Sequence, residues 1–292
     1  MSLGPESVLT LGTNFFKTIF ARVQEYARET VEHLILAVSV YILVCIFLYF
    51  SISRWKIIGF KKDVKNPARV LIVIAHPDDE CMFFGPTVLN FTKQKECQVY
   101  LMCLSTGNNY GMGRTRKKEL YKACQVLGID EGSIVVYNHS NMPDQMGVMW
   151  PIELVSKLIL NQIETYSINT LITFDKHGVS NHMNHCSIYY AIAHLSLEKK
   201  LPSYCSVYVL ETVNLLRKYW LLLDIPVSFL LSRIRYLVTS TDRALLHRAM
   251  RQHESQLVWF RRLYMLFSRY MLINSLQLME LSDIELDLEI DD

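Results

Sequence analysis

Arg69-Val70-Leu71-Ile72-Val73-Ile74-Ala75-His76-Pro77-Asp78-Asp79-Glu80 joins an apolar run directly to a cluster of ionisable side chains. Its first six residues are rich in β-branched types and have the length of a buried parallel strand. In α/β sheets, ligands bind outside the carboxyl ends of the strands. One imidazole and three carboxylates are therefore gathered where such a fold does its chemistry. Histidine with aspartate suits zinc, and a spare carboxylate beside them can serve as a general base. The combination points to metal-assisted hydrolysis. A strand-end Asp-Asp that only caps a helix starting near Cys81 is the plainer alternative, but capping needs neither His76 nor a second acid.

A second cluster has the same form. Thr170-Leu171-Ile172-Thr173-Phe174-Asp175 reads as a strand and leads into Lys176-His177-Gly178-Val179-Ser180-Asn181-His182-Met183-Asn184-His185. His182 and His185 are spaced i, i+3, so both imidazoles share one face if the loop turns into a helix there. One can complete a zinc site while the other faces substrate. Catalytic zinc usually has three protein ligands and an open position for water, and His76, Asp79 and His185 supply such a set. His177 and His194 read as structural or surface histidines.

These motifs resemble a known family. Ala75-His76-Pro77-Asp78-Asp79-Glu80 matches the hallmark of the LmbE-like zinc de-N-acetylases. Asn181-His182-Met183-Asn184-His185 is similar to that family's second motif, His-Pro-Asp-His, with Met183-Asn184 in place of Pro-Asp. Asn184 therefore cannot be a charged partner for His182. Ser105-Thr106-Gly107-Asn108, Arg116-Lys117-Lys118-Glu119-Leu120, Pro143-Asp144 and His253-Glu254-Ser255-Gln256 also look familial, and the resemblance extends over residues 68–275. Gly178-Val179-Ser180-Asn181-His182 and Gln256-Leu257-Val258-Trp259-Phe260-Arg261 are most similar to the membrane-anchored branch, the N-acetylglucosaminyl-phosphatidylinositol de-N-acetylases.

The resemblance implies zinc-dependent hydrolysis of the N-acetyl group of that glycolipid, the second step of glycosylphosphatidylinositol-anchor synthesis, at the cytosolic face of the endoplasmic reticulum. It implies Zn2+ or another divalent metal on His76, Asp79 and His185, with Asp78 as the base. His182 would stabilise the oxyanion or act as the acid. By the same resemblance Arg116 holds the inositol or phosphate portion and Asp144 the sugar hydroxyls, while His253 lies near the site in an open role. A helix-surface ion pair of Arg116 with Glu119 is the structural alternative. Two other functions remain in view: a de-N-acetylase for another N-acetylated glycoside, and an inactive membrane-tethered binding protein of the same fold.

The 292 residues allow one sizeable domain with appendages. Half of them are apolar, and much of that content lies at residues 33–53, which contain no charged residue with histidine neutral. Such a run is long enough for a transmembrane helix and too long and too far in for a cleaved signal peptide. Lys17, Arg22 and Arg28 precede it. Arg54, Lys56, Lys61, Lys62, Lys65 and Arg69 follow, which places the catalytic domain on the cytosolic side of a single-pass protein. Seven cysteines without framework or Cys-x-x-Cys spacing suit a reducing compartment and disfavour a thiolate zinc site. Ahead of the span, Phe16, Ile19, Phe20, Val23 and Ala27 recur at helical spacing within the N-terminal segment 1–32.

A basic linker, 54–67, leads to the catalytic domain at 68–275. Strands are predicted at 69–75, 98–104, 133–138, 170–174 and 205–211, with helices near 81–95, 114–127, 151–166 and 184–199. That alternation predicts a Rossmann-like, mostly parallel α/β sheet with helices on both faces. No phosphate-binding glycine loop is present. After residue 212 the alternation ends, and segments 217–236 and 255–273 mix apolar residues with Arg217, Lys218, Arg233, Arg235, Arg261, Arg262 and Arg269. They read equally as membrane-facing helices and as cover for the core. Interleaving with bulky apolar residues argues against a nucleic-acid surface. The acidic tail, 276–292, holds seven acids from Glu280 onward and no base, so the net charge of +2 conceals a basic remainder.

Overall fold

The computed structural model describes residues 5–55, 64–282 and 284. Residues 1–4, positions 56–63 of the expected linker, and positions 283 and 285–292 of the acidic tail lie outside the described residues. Internal contacts divide the chain after Phe47. That boundary falls within a single helix, Pro5–Trp55, which runs through both the expected N-terminal helix and the expected span without a break. Its stretch Phe16–Ile52 is long and apolar enough to cross a membrane, and Phe16, Phe20, Leu34 and Phe47 are exposed along it.

The second unit is built on seven strands: β1 Arg69–Ile74, β2 Gln98–Cys103, β3 Ile134–Val136, β4 Thr170–Phe174, β5 Ser206–Leu210, β6 Ile234–Leu237 and β7 Ile273–Leu278. Their order is β3-β2-β1-β4-β5-β7-β6. The first five are parallel. From β1 the chain steps outward to β2 and β3 through helices Gly85–Thr92 and Gly113–Leu127. It then returns to β4 and steps the other way to β5 through Ile152–Thr165 and Met183–Leu197. Right-handed crossovers in opposite directions put the two helix pairs on opposite faces. Strands β1 and β4 are thus covered on both sides, which is why Val70–Ile74 and Thr170–Phe174 are uniformly buried. The loops after β1 and β4 diverge at this reversal, the place where α/β sheets bind ligands.

Beyond β5 the expected run of helices is corrected. Segment 217–236 contains the helix Asp224–Leu231 and then β6, and segment 255–273 contains the helix Trp259–Phe267 and then enters β7. Strand β7 is antiparallel to both β5 and β6 and lies between them, leaving β6 at the sheet edge. It escapes a strand pattern because Asn274 and Ser275 are polar yet fully buried. Asn274 Oδ1 accepts from Thr87 N (3.1 Å) and Thr87 Oγ1 (2.8 Å), and its Nδ2 donates to the Phe83 carbonyl (2.8 Å). Bonds of this kind offset the cost of burying an amide.

Several basic residues of these two segments have internal partners, as the core-covering alternative expects. Asp224, fully buried, lies 2.6 Å from Arg217 Nε and 2.7 Å from Arg269 Nε, and Arg269 itself has no exposed surface. Arg269 also donates to Ser228 and Ser275. The Arg235 guanidinium stacks 4.1 Å from the centre of the Phe229 ring. Arg269→Met should lower unfolding free energy by about 3 kcal/mol, because it strips one partner from a buried carboxylate. Denaturant unfolding of the detergent-solubilised chain checks this, and an unchanged midpoint would contradict the buried network.

Candidate active site

Four loops at the carboxyl ends of the strands bring the site together. His76, Asp78 and Asp79 follow β1; Arg116 lies in the first turns of the helix after β2; Asp144 follows β3; His182 and His185 follow β4. Asp175 directly follows β4, and its carboxylate accepts from Thr212 N, Thr212 Oγ1, His177 N and Gly178 N and so anchors the second histidine loop. Gly178 sits at φ 53°, and a Cβ there would stand 2.6 Å from His185 Cβ. Only glycine allows the loop to pass this close to His185.

The donor atoms of His76, Asp79 and His185 converge. His185 Nε2 is 3.3 Å from His76 Nδ1 and 3.5 Å from Asp79 Oδ2, and His76 Nδ1 is 3.7 Å from the same oxygen. Ligands held about 2.0–2.1 Å from a tetrahedral ion lie roughly 3.3 Å from one another. The outward nitrogens settle what faces inward. His185 Nδ1 lies 3.0 Å from the Gly178 carbonyl, and His76 Nε2 lies 3.0 Å from Asn184 Oδ1 and 3.1 Å from Asp144 Oδ1. Each outward nitrogen therefore carries the proton, and each inward nitrogen presents a lone pair. Two lone pairs and a carboxylate oxygen in contact, all buried, repel one another unless a proton or a metal cation sits among them. Burial also pushes Asp79 up to about 7, against the pull of His76 and with Asp78 and Glu80 adding to the rise. The residues fit a divalent metal.

Two other donor groupings occur among the described residues. His76, Asp144 and His182 share the outward nitrogen of His76, which Asp144 and Asn184 already occupy. Glu80, Cys81 and His253 are grouped around a closed pair: His253 Nε2 lies 2.6 Å from Glu80 Oε1, and neither side chain has exposed surface. Burial alone would raise Glu80, but His253 holds it below the usual glutamate range. The other Glu80 oxygen accepts from Asp78 N at 3.0 Å. His253 thus braces the loop that carries Asp78.

Asp78 needs that support. Its φ of 121° is a conformation that non-glycine residues avoid, worth about 1–3 kcal/mol of strain. Its side chain makes no capping bond to the helix Asp79–Met82, so the helix-cap alternative fails. Instead the carboxylate is 3.6 Å from Arg116 NH2 and 3.0 Å from Arg261 NH2.

Arg116 is buried and donates to the Gly107 carbonyl (2.9 Å), the Pro77 carbonyl (2.9 Å) and Asp144 Oδ2 (3.1 Å). Gly107, at φ 68°, leaves room for this: a Cβ there would lie 2.3 Å from Arg116 Cζ. Glu119 bonds Ser255 N and Oγ instead, so the surface ion pair with Arg116 is absent. Burial alone would raise Asp144, but His76 and Arg116 hold it down at about 2.

His182 caps the helix Met183–Leu197, its Nδ1 accepting from Asn184 N at 3.3 Å. The proton then resides on Nε2, which makes the ring a hydrogen-bond donor. Burial pushes His182 down to about 4, so it is neutral near pH 7. Its ring stacks on His185 at 4.7 Å and 14°. The structure brings together the three expected donors and their neighbours, and adds supports that the sequence did not single out: Asn184 for His76, and Glu80, Asp175 and Arg261. Glu80 carried a signal as the third acid of the first motif, and Arg261 as the end of a familial stretch.

Comparison with known proteins follows this geometry. The PIG-L family, GlcNAc-PI de-N-acetylase, matches residues 71–196. The N-acetylglucosaminyl-phosphatidylinositol de-N-acetylase of Bos taurus is 48% identical over 210 residues, spanning 72% of this chain and 83% of that protein. The chain belongs to the PIG-L family. A second member, the probable N-acetylglucosaminyl-phosphatidylinositol de-N-acetylase of Schizosaccharomyces pombe, is 40% identical over 215 residues, 71% of this chain and 86% of the other. Among solved structures, the N,N'-diacetylchitobiose deacetylase of Pyrococcus horikoshii superposes with a TM-score of 0.54 at 15% identity, over 80% of this chain and 91% of that one. That likeness concerns the fold. In this PIG-L member, Asn184→Leu should weaken metal affinity about 10–100-fold by freeing the His76 ring. Competition titration against a chromogenic chelator measures it, and unchanged affinity would contradict the support role.

Proposed function

We propose that this chain hydrolyses N-acetylglucosaminyl-phosphatidylinositol to glucosaminyl-phosphatidylinositol and acetate, with His76, Asp79 and His185 holding a divalent metal, zinc by donor type. The carrying observation is the convergence of those three donors beside Asp78 and His182, in a member of this family. When bound, the metal supplies Lewis acidity for the acetyl carbonyl and lowers the pKa of water toward about 7. Asp78 accepts the proton as water adds to the carbonyl carbon, and delivers it to the nitrogen as the C–N bond breaks. His182 donates through Nε2–H to the oxygen that gains negative charge, the neutral-donor role its capping bond imposes. Asp144 takes sugar hydroxyls. Arg116, its terminal nitrogens engaged by protein oxygens, serves substrate binding mainly by fixing Asp144 and the Pro77–Asp78 turn.

The enzyme works at the endoplasmic reticulum membrane in this proposal, with Phe16–Ile52 as the anchor and the catalytic unit on the cytosolic side. The Lys/Arg excess after the span supports that orientation. Asn138, first residue of the acceptor sequence Asn138-His139-Ser140, is exposed, so a lumenal catalytic unit would be open to glycosylation there. Expression in eukaryotic cells should yield protein whose mobility endoglycosidase does not change, and a glycan on Asn138 would reverse the orientation.

Acetate release by the detergent-purified chain tests the reaction. Asp78→Asn and His182→Ala should each lower turnover about 10²–10³-fold, with metal content unchanged. Near-normal turnover by Asp78→Asn would overturn the assignment of the base.

A further inference from the structure

We propose that the face carried by residues 215–220 and by the helix Trp259–Phe267 rests on the surface of the lipid bilayer. The helix is amphipathic in the inverted sense. At about 100° per residue, Trp259, Phe260, Leu263, Leu266 and Phe267 form one stripe, and all five are exposed, Trp259 at 73%. The opposite side is the one that packs: Tyr264 and Met265 are buried, and Arg261 reaches Asp78 at 3.0 Å. A helix on a globular domain ordinarily turns its apolar stripe to the core. Here the apolar stripe is turned away.

The neighbouring segment repeats the arrangement. Tyr219 meets Tyr264 edge to face at 6.3 Å, and Lys218 Nζ lies 6.0 Å from the same ring, so the two segments adjoin. Within the first, Leu215 and Leu216 are 71% and 68% exposed, and Trp220 stands partly outside. Neither segment contains an acid, and Arg262 is exposed beside the apolar stripe. Aliphatic side chains with tryptophan, tyrosine and arginine, and no carboxylate, suit an interface of acyl chains and anionic head groups.

Both segments are fastened to the chemistry. Arg261 joins the helix to Asp78, and Lys218 Nζ approaches the Val179 carbonyl at 3.4 Å in the second histidine loop. A bilayer under this face would leave the acyl chains of a glycolipid in the membrane while its sugar meets the catalytic loops. In that respect the inference rests on the glycolipid reading.

The test uses the full chain in nanodiscs of phosphatidylcholine with brominated or ordinary acyl chains. The four tryptophans are Trp55, Trp150, Trp220 and Trp259. Brominated lipid should quench a component of the emission that the Trp220→Phe/Trp259→Phe variant lacks. If the variant and the parent lose the same emission intensity on bromination, the face is not in lipid and belongs to a protein partner or to another segment of this chain. A second arm compares substrates. Phe260→Glu/Leu263→Glu should reduce acetate release from the long-chain glycolipid in vesicles about tenfold, since surface binding scales with buried apolar area. Release from the deacylated, water-soluble head group should be unchanged. Equal loss on both substrates, or none on either, overturns the proposal. A parent chain inactive on both substrates would defeat the proposed function, while the quenching arm would still decide the lipid contact.

Discussion

Three electron-pair donors held within 3.7 Å of one another in a buried space form an arrangement that a protein cannot keep without a counter-charge. Much of the catalytic unit serves that constraint. The β1–β4 reversal supplies the place. Gly178 lets the second loop approach and offers its carbonyl to one imidazole, while Asn184 and Asp144 fix the other. Removing any outer partner would let a ring rotate its lone pair away from the common point, so the polar supports matter as much as the ligands.

The same economy explains why the C-terminal third is woven into the site. His253 neutralises Glu80, Ser255 engages Glu119 on the helix that carries Arg116, and Arg261 touches Asp78. Strand β7, held through Asn274 to Thr87 and Phe83, pins this part of the chain against the helices that follow the first motif. A strained Asp78 between two arginines is affordable only because this frame determines its position.

Much of the fold was legible because β1 through β5 are buried strands whose composition is nearly independent of context, and the converging donor residues stand at the ends of two of them. The first five strands and the helices between them fall within a few residues of their expected places. Strands β6 and β7 were not legible. Their register depends on Asn274, Ser275 and Arg269, polar residues that enter the core only because partners distant in sequence receive them. For the same reason the internal partners of Arg217, Arg235 and Arg269 could not be read from these segments. At the site, the three residues whose donor atoms converge could be named from their types. The supports could not, since an asparagine bonding a histidine 108 positions away leaves no periodic trace.

Zinc K-edge X-ray absorption on the purified, metal-loaded chain tests the central claim most directly. The account predicts scattering from nitrogen and oxygen at about 2.0–2.1 Å, with the multiple-scattering pattern of two imidazoles that His185→Ala reduces to one. A sulfur shell at about 2.3 Å, or a spectrum unchanged by His185→Ala, would place the metal elsewhere and contradict the account.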